Sequence, residues 1–269
     1  MRVHIAAACG FCYGVRRAVE LAAQAEAGTH TLGPIIHNPQ LVDSLSEKGV
    51  TPVNSLEEVA DGSRLLIRSH GVGPDVYDEA EKRRLHIVDA TCPHVKKAQQ
   101  DARKVINAKK VLVIIGEKDH PEVISISQWG GNRAIIIDKV EEAEEIPYCE
   151  TMGVVVQTTF SQSRFKQIES VLAGKTGHLD VYMTICAATR QRQEAAVELA
   201  GKVDAMIVIG GRNSANTGRL AQVCAEQGCP TYHVETAAEI NPDDFAGMHD
   251  IGVTAGASTP DWIIQEVVK

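Results

Sequence analysis

The sequence predicts an α/β protein made of three small parallel-sheet lobes, and three observations carry that expectation. Short β-branched apolar runs alternate with helix-period segments along the whole 269 residues, the pattern of parallel strands joined by crossover helices. Nine such strand–loop–helix units are present, enough for three lobes of similar plan. Three of the units carry a cysteine, Cys12, Cys92 or Cys186, at the seam between strand and helix, and the spacings between these thiols are of lobe size. The expected lobes are 13–92, 93–185 and 186–269, with 1–12 joining the third. No Pro/Gly/Ser-rich linker separates them, so close packing is expected.

The units follow in order. RVHIAAAC is a strand leading into FCYGVRRAVELAA, where Val15, Ala18, Val19, Ala22 and Ala23 form one apolar stripe. TLGPIIHNPQLVDSLSEKG and RLLIRSHGVGPDVYDEAEKRR are the next two units. RLHIVDATCPHVKKAQQDARKVI repeats the cysteine seam, and its helix carries Val95, Ala98, Ala102, Val105 and Ile106 on one face. KVLVIIGEKDHPEVISISQWG, MGVVVQTTFSQSRFKQIESVL and HLDVYMTICAATRQRQEAAVELA come next, the last with the third cysteine. DAMIVIGGRNSANTGRLAQVCAEQG and DIGVTAGASTPDWIIQEVV close the chain. Pro39, Pro93, Pro121 and Pro260 suit the first helical position, where a missing N–H removes no bond, so Asn38, Cys92, His120 and Thr259 are the expected N-caps.

Composition narrows the function. A hydrophobic content of 44% supports a substantial core, and a net charge of −8 without a basic run argues against a nucleic-acid surface. No apolar stretch reaches the length of a membrane span. Seven cysteines, an odd number, behind a start (MRVHIAAACG) lacking the regions of a signal peptide point to a reducing cytoplasm.

A cysteine at a helix N-terminus has its thiolate favoured by the dipole and by unpaired N–H groups, and thiolate is the form that binds metal. Three single thiolates leave the fourth position of a metal or of an iron–sulfur cube open, which implies chemistry rather than support. Cys149, Cys224 and Cys229 read as core residues. Cys9 forms a CxxC with Cys12, yet no second CxxC follows to complete a zinc site.

Around the thiolates lies a second constellation. His37, His70 and His120 each follow an apolar run, and imidazole N–H groups donate well to phosphate oxygens. One histidine in such a place would read as a half-buried core residue, whereas three equivalent ones suggest a site. Ser214 and Asn216 in GGRNSANTG, and Ser258 in TAGASTP, add neutral donors beside glycines that admit an anion closely; alone they would be ordinary turn and cap residues. Such a cradle of helix N-termini suits a diphosphate. Other phosphate motifs are excluded by spacing, since LAGKTG lacks the earlier glycine of a P-loop and GGRNSANTG is not a GxGxxG. Redox work by this chain would therefore draw its electrons from outside.

Nine motifs, GFCYGVRRAV, GPIIHNPQ, IRSHGV, DATCP, HPEV, QTT, CAATRQRQ, NSANT and TAGASTP, resemble in order those of the 4-hydroxy-3-methylbut-2-enyl diphosphate reductase family of isoprenoid biosynthesis by the methylerythritol phosphate route. The resemblance implies three α/β lobes about a pseudo-threefold axis with a central [4Fe–4S] cluster, one per chain, held by Cys12, Cys92 and Cys186. It implies diphosphate binding by His37, His70, Ser214, Asn216 and Ser258, with His120 nearby. Glu122 and Thr158 match the family's residues at the substrate hydroxyl. Ala215 stands where many members have a second serine, so a contact there would come from its backbone N–H; Cys9 falls where the family has no ligand. Ferredoxin, or flavodoxin with its reductase, is the implied electron donor. The rival expectations are a non-redox three-cysteine [4Fe–4S] synthase or hydro-lyase of the quinolinate synthase kind, and a metal-bearing binding module. For Glu122 alone, a first-turn glutamate favoured by the helix dipole would suffice.

Overall fold

Residues 1–269 are described by a computed structural model. The apolar runs form three four-stranded sheets in which every strand pair is parallel. One sheet has the order β3 (Val50–Val53), β2 (Thr29–Leu32), β4 (Arg64–Ile67), β5 (His86–Asp89). A second has β7 (Ile135–Ile137), β6 (Val111–Ile115), β8 (Cys149–Val156), β9 (Thr176–Tyr182). The third has β11 (Thr231–Val234), β10 (Ala205–Ile209), β12 (Asp250–Ala255), β1 (Arg2–Ile5). Counting along the chain, each sheet runs second–first–third–fourth. In the third sheet the fourth place falls to the other end of the chain, β1 pairing with β12 from Arg2↔Asp250 to Ile5↔Val253.

The helices are α1 (Tyr13–Ala23), α2 (Pro39–Ser46), α3 (Pro74–Lys82), α4 (Pro93–Asn107), α5 (Pro121–Trp129), α6 (Val140–Glu144), α7 (Gln162–Ala173), α8 (Ala187–Ala200), α9 (Ala215–Ala225) and α10 (Asp261–Val268). All nine expected strand–helix units are present. Strands β6 and β10 are apolar throughout because both faces are covered: Val113 and Ile115 enter one core cluster, Leu112 and Ile114 another. Ala98, Ala102 and Val105 of α4 pack into the second of these. On α1, Ala18 and Ala22 are buried as expected, whereas Ala23, the last residue of the helix, is exposed.

Three strands were not expected: β3, β7 and β11. Each is the second strand of its sheet, lies at an edge and has three or four residues, and β3 contains Pro52, which only an edge tolerates. Behind each comes a helical turn too short to show a period, Leu56–Glu58, α6 or Ala237–Glu239. The three turns share a local device: the Glu58, Glu142 and Glu239 carboxylates accept backbone N–H groups of residues three or four positions earlier, Asn54 and Ser55, Asp138 and Lys139, and Glu235. This glutamate at one fixed place in NSLEE, DKVEE and ETAAE is a threefold internal repeat.

Pro39, Pro93 and Pro121 open their helices, and Asn38 caps α2 by accepting the Leu41 N–H at 2.9 Å. The expected cap at Thr259 is displaced. Its hydroxyl donates to the Ile209 carbonyl at 2.9 Å, so Pro260 takes the cap position and α10 begins at Asp261.

Contacts group the chain into two compact units. One contains Met1–Arg16, Ile36–Ser44 and Ala187–Lys269; the other contains Arg17–Ile35 and Leu45–Cys186. The first carries the β11–β10–β12–β1 sheet, the second carries the other two.

Candidate active site

In a parallel sheet of order second–first–third–fourth, the crossovers diverge between the first and third strands, and ligands bind where the chain leaves such a pair. The polar motifs occupy those exits. His70 follows β4, His120 and Glu122 follow β6, Thr158 follows β8, Ser214 follows β10 and Ser258 follows β12. Each cysteine follows the fourth, edge strand: Cys12 after β1, Cys92 after β5 and Cys186 after β9.

One backbone contact repeats in all three sheets. The N–H of Cys12 donates to Ala257 O (3.3 Å), that of Cys92 to Ser69 O (2.9 Å) and that of Cys186 to Thr158 O (3.1 Å). Every cysteine is thus tied to the exit of the neighbouring third strand, at Thr158 itself or at the residue preceding His70 or Ser258. All three thiols stand at helix starts and none forms a disulfide. The Val15 N–H lies 3.5 Å from Cys12 Sγ.

In the first unit the exits of β10 and β12 meet the segment holding His37. Ser258 Oγ donates to the His37 carbonyl at 3.1 Å and lies 3.4 Å from Ser214 Oγ. Ser214 caps α9, its Oγ accepting the Thr217 N–H at 3.3 Å. A Cβ on Gly211 would lie 2.8 Å from the His37 carbonyl oxygen, which is why the GG of GGRNSANTG is needed. Ala215 and Asn216 are the first two residues of α9, where N–H groups have no intrahelical acceptor. Asn216 is 5% exposed, and both its amide oxygen and nitrogen are buried without a partner in the chain. Leaving a buried amide unpaired costs about 1–3 kcal/mol, so these atoms have the character of a ligand receptor.

The second unit holds the acid and two histidines. His70 and His120 meet edge to face, ring centroids 5.5 Å apart. His120 Nδ1 accepts the Glu122 N–H at 3.1 Å, which leaves Nε2 to carry the proton of the neutral ring. Beneath them the Ser125 hydroxyl lies 3.0 Å from both the His70 and Glu122 carbonyls and accepts from the Gln99 amide at 3.1 Å. Glu122 is 2% exposed. One carboxylate oxygen accepts the Thr158 N–H at 2.6 Å and the other the Thr158 hydroxyl at 2.8 Å. Burial outweighs these bonds and pushes the carboxyl up to about 7, a value matched to acid–base work near neutrality.

The remaining cysteines differ. Burial pushes the Cys224 thiol up to about 12 and raises Cys229 and Cys9 as well, so these stay protonated and pack against core side chains. Ser125 and Gln99 went unread in the sequence because nothing local distinguishes them from ordinary helix residues; they act by packing beneath His70.

The LytB protein family profile matches residues 3–269. The chain belongs to the LytB family. The 4-hydroxy-3-methylbut-2-enyl diphosphate reductase of Pelobacter propionicus is 48% identical over 271 residues, covering 100% of this chain and 96% of that protein. Among solved structures, the E-1-hydroxy-2-methyl-but-2-enyl-4-diphosphate reductase of Plasmodium falciparum matches with a TM-score of 0.95 at 27% identity, covering 99% of this chain and 86% of that one. A second, an (E)-4-hydroxy-3-methyl-but-2-enyl diphosphate reductase described as the terminal enzyme of the non-mevalonate pathway, matches with a TM-score of 0.70 at 41% identity, covering 100% and 98%. The resemblance read from the nine motifs is borne out by this family membership.

Proposed function

We propose that this LytB-family protein reductively dehydroxylates 4-hydroxy-3-methylbut-2-enyl diphosphate to isopentenyl and dimethylallyl diphosphates. Its relatives bear the name of that reductase. The observation that carries the reading is the repeated bond from the N–H of Cys12, Cys92 or Cys186 to the exit that bears Ser258, His70 or Thr158, because it binds three thiol arms to the substrate-binding candidates.

Three thiols at helix starts, none in a disulfide, are a donor set that fits a [4Fe–4S] cluster with one open iron. Held by Cys12, Cys92 and Cys186, such a cluster would supply electrons and Lewis acidity. The reaction takes two electrons and two protons, breaks the C–O bond, forms one C–H bond and releases water.

The chain's own residues do the rest. His37, His70, Ser214, Asn216, Ser258 and the Ala215 N–H bind the diphosphate, with His120 adding its Nε2–H; anchoring that end orients the reacting end. Glu122 holds a proton near neutral pH. When it is protonated, its O–H donates to Thr158 Oγ1, which frees the threonine proton for the departing hydroxyl. When it is ionised the bond reverses, as in the 2.8 Å contact, so Thr158 relays the proton.

The lobe division at 13–92, 93–185 and 186–269 with 1–12 belongs to this proposal, as do a ferredoxin, or a flavodoxin with its reductase, as electron donor and a reducing cytoplasm for the open-cornered cluster. No helix is long and apolar enough to cross a membrane. The non-redox hydro-lyase reading lacks support among the relatives. Protein purified without oxygen and given a low-potential chemical reductant is expected to convert the diphosphate to both products with about four irons per chain; full activity of a zinc-loaded, iron-free protein would overturn the proposal.

A further inference from the structure

Two arginines that the proposed reaction does not use are bound to the cysteine loops. Arg192 lies on α8, the helix that begins after Cys186, and is 6% exposed. Its Nε and Nη2 donate to the Gly10 carbonyl at 3.1 and 2.7 Å, and its Nη1 donates to Ala188 O at 2.9 Å. Gly10 stands between Cys9 and Cys12, with φ at +71°. Arg17 lies on α1, the helix that begins after Cys12. Its Nη2 donates to Asp89 O at 3.1 Å and its Nη1 approaches Thr91 O at 3.5 Å, in the loop that ends at Cys92. The Asp89 carboxylate is itself occupied, accepting the Thr91 N–H at 2.9 Å and facing Lys96 Nζ at 2.6 Å. In both cases the helix of one cysteine sends a guanidinium to the loop of another.

Neither guanidinium faces a carboxylate. Arg192 is buried and Arg17 half-buried; withdrawing an unpaired cation from water is unfavourable unless a negative charge compensates, and thiolates holding iron and sulfide would provide one. The Arg192 charge is felt in that loop, since it acts to lower the ionisation point of Cys9 against the dominant effect of burial and the smaller opposing effect of the Asp261 carboxylate. The Cys186 loop is held otherwise: the Thr184 hydroxyl bonds both backbone groups of Val156, accepting its N–H at 2.9 Å.

Resting on the cluster reading above, we infer that Arg17 and Arg192 are positioning residues that lock the loops of Cys92 and Cys12, so that iron retention and the reduction midpoint depend on them. The test uses reconstituted holoprotein with Arg17 or Arg192 replaced by Met or Lys. Arg83→Met serves as a matched control, because Arg83 donates to the carbonyls of Leu56 and Val59 and pairs with Asp61 at 2.7 Å, with no cysteine loop involved. Release of iron to a chelator is expected to accelerate about tenfold or more in the Met variants, the scale on which removal of supporting residues weakens metal sites. Their midpoint is expected to move negative, since a positive charge is lost. Lysine keeps the charge but not the planar fork, so the Lys variants should hold the midpoint and still release iron faster, and they serve where a Met variant fails to fold. Arg83→Met should lower the unfolding midpoint with iron release unaltered. Unaltered release in the Arg17 and Arg192 variants, or equal acceleration in Arg83→Met, overturns the inference. A wild-type protein that takes up no iron overturns the cluster reading instead.

Discussion

Replacing Glu122 by Gln turns the buried acid into a measurement of its own environment. Gln keeps the shape, accepts from the Thr158 N–H and donates to the Thr158 hydroxyl, so the local bonds survive while ionisation is abolished. The wild-type carboxyl moves from an ordinary 4.5 to about 7 in the folded protein. At about 1.4 kcal/mol for each tenfold step, ionising it costs the fold about 3 kcal/mol relative to the unfolded chain. The sign follows from proton binding. Between pH 4.5 and 7 the folded state holds a proton that the unfolded state has released, so stability is full below 4.5 and falls as pH rises through 7. Urea unfolding of the iron-free, reduced protein at a series of pH values is the assay. Wild type and Glu122→Gln are expected to coincide near pH 4, and the variant should be the more stable by about 3 kcal/mol at pH 8. Parallel curves across that range would refute the reasoning, because the acid would then not be held protonated by burial. In the reduced holoprotein the same substitution should lower turnover about 100-fold or more with iron content unaltered, and wild-type turnover should decline above pH 7 as the acid ionises.

Three further outcomes are expected. His37→Ala and His70→Ala should each raise the KM for the diphosphate substrate by about 1.5–3 kcal/mol, the worth of a hydrogen bond to a charged group, and equal turnover of the free alcohol would show that no cradle operates. Cys12→Ser, Cys92→Ser and Cys186→Ser should lose iron and turnover, whereas Cys149→Ser, Cys224→Ser and Cys229→Ser should retain about four irons per chain on anaerobic metal analysis. Asn216→Leu removes the two unpartnered amide atoms, so it should leave the ligand-free protein equally or more stable by thermal melt while raising KM; a large loss of stability would mean that the amide serves the fold.

The sequence by itself determined what is local. Nine strand–helix units were legible because an apolar run, a cap and a helical period are properties of neighbouring residues, and for the same reason Cys12, Cys92, Cys186, His120 and Ser214 could be set at the ends of strands. The edge strands β3, β7 and β11 were not legible, being three or four residues long and followed by turns too brief to repeat, although the glutamate shared by NSLEE, DKVEE and ETAAE was a signal for them. Only the tertiary structure decided that β1 pairs with β12, that the segment Ile36–Ser44 brings His37 to Ser214 and Ser258, and that Arg17 and Arg192 reach cysteine loops distant in the chain. It also decided the protonation of Glu122. Pairing and desolvation are sums over atoms from remote parts of the chain, and no window of sequence contains them.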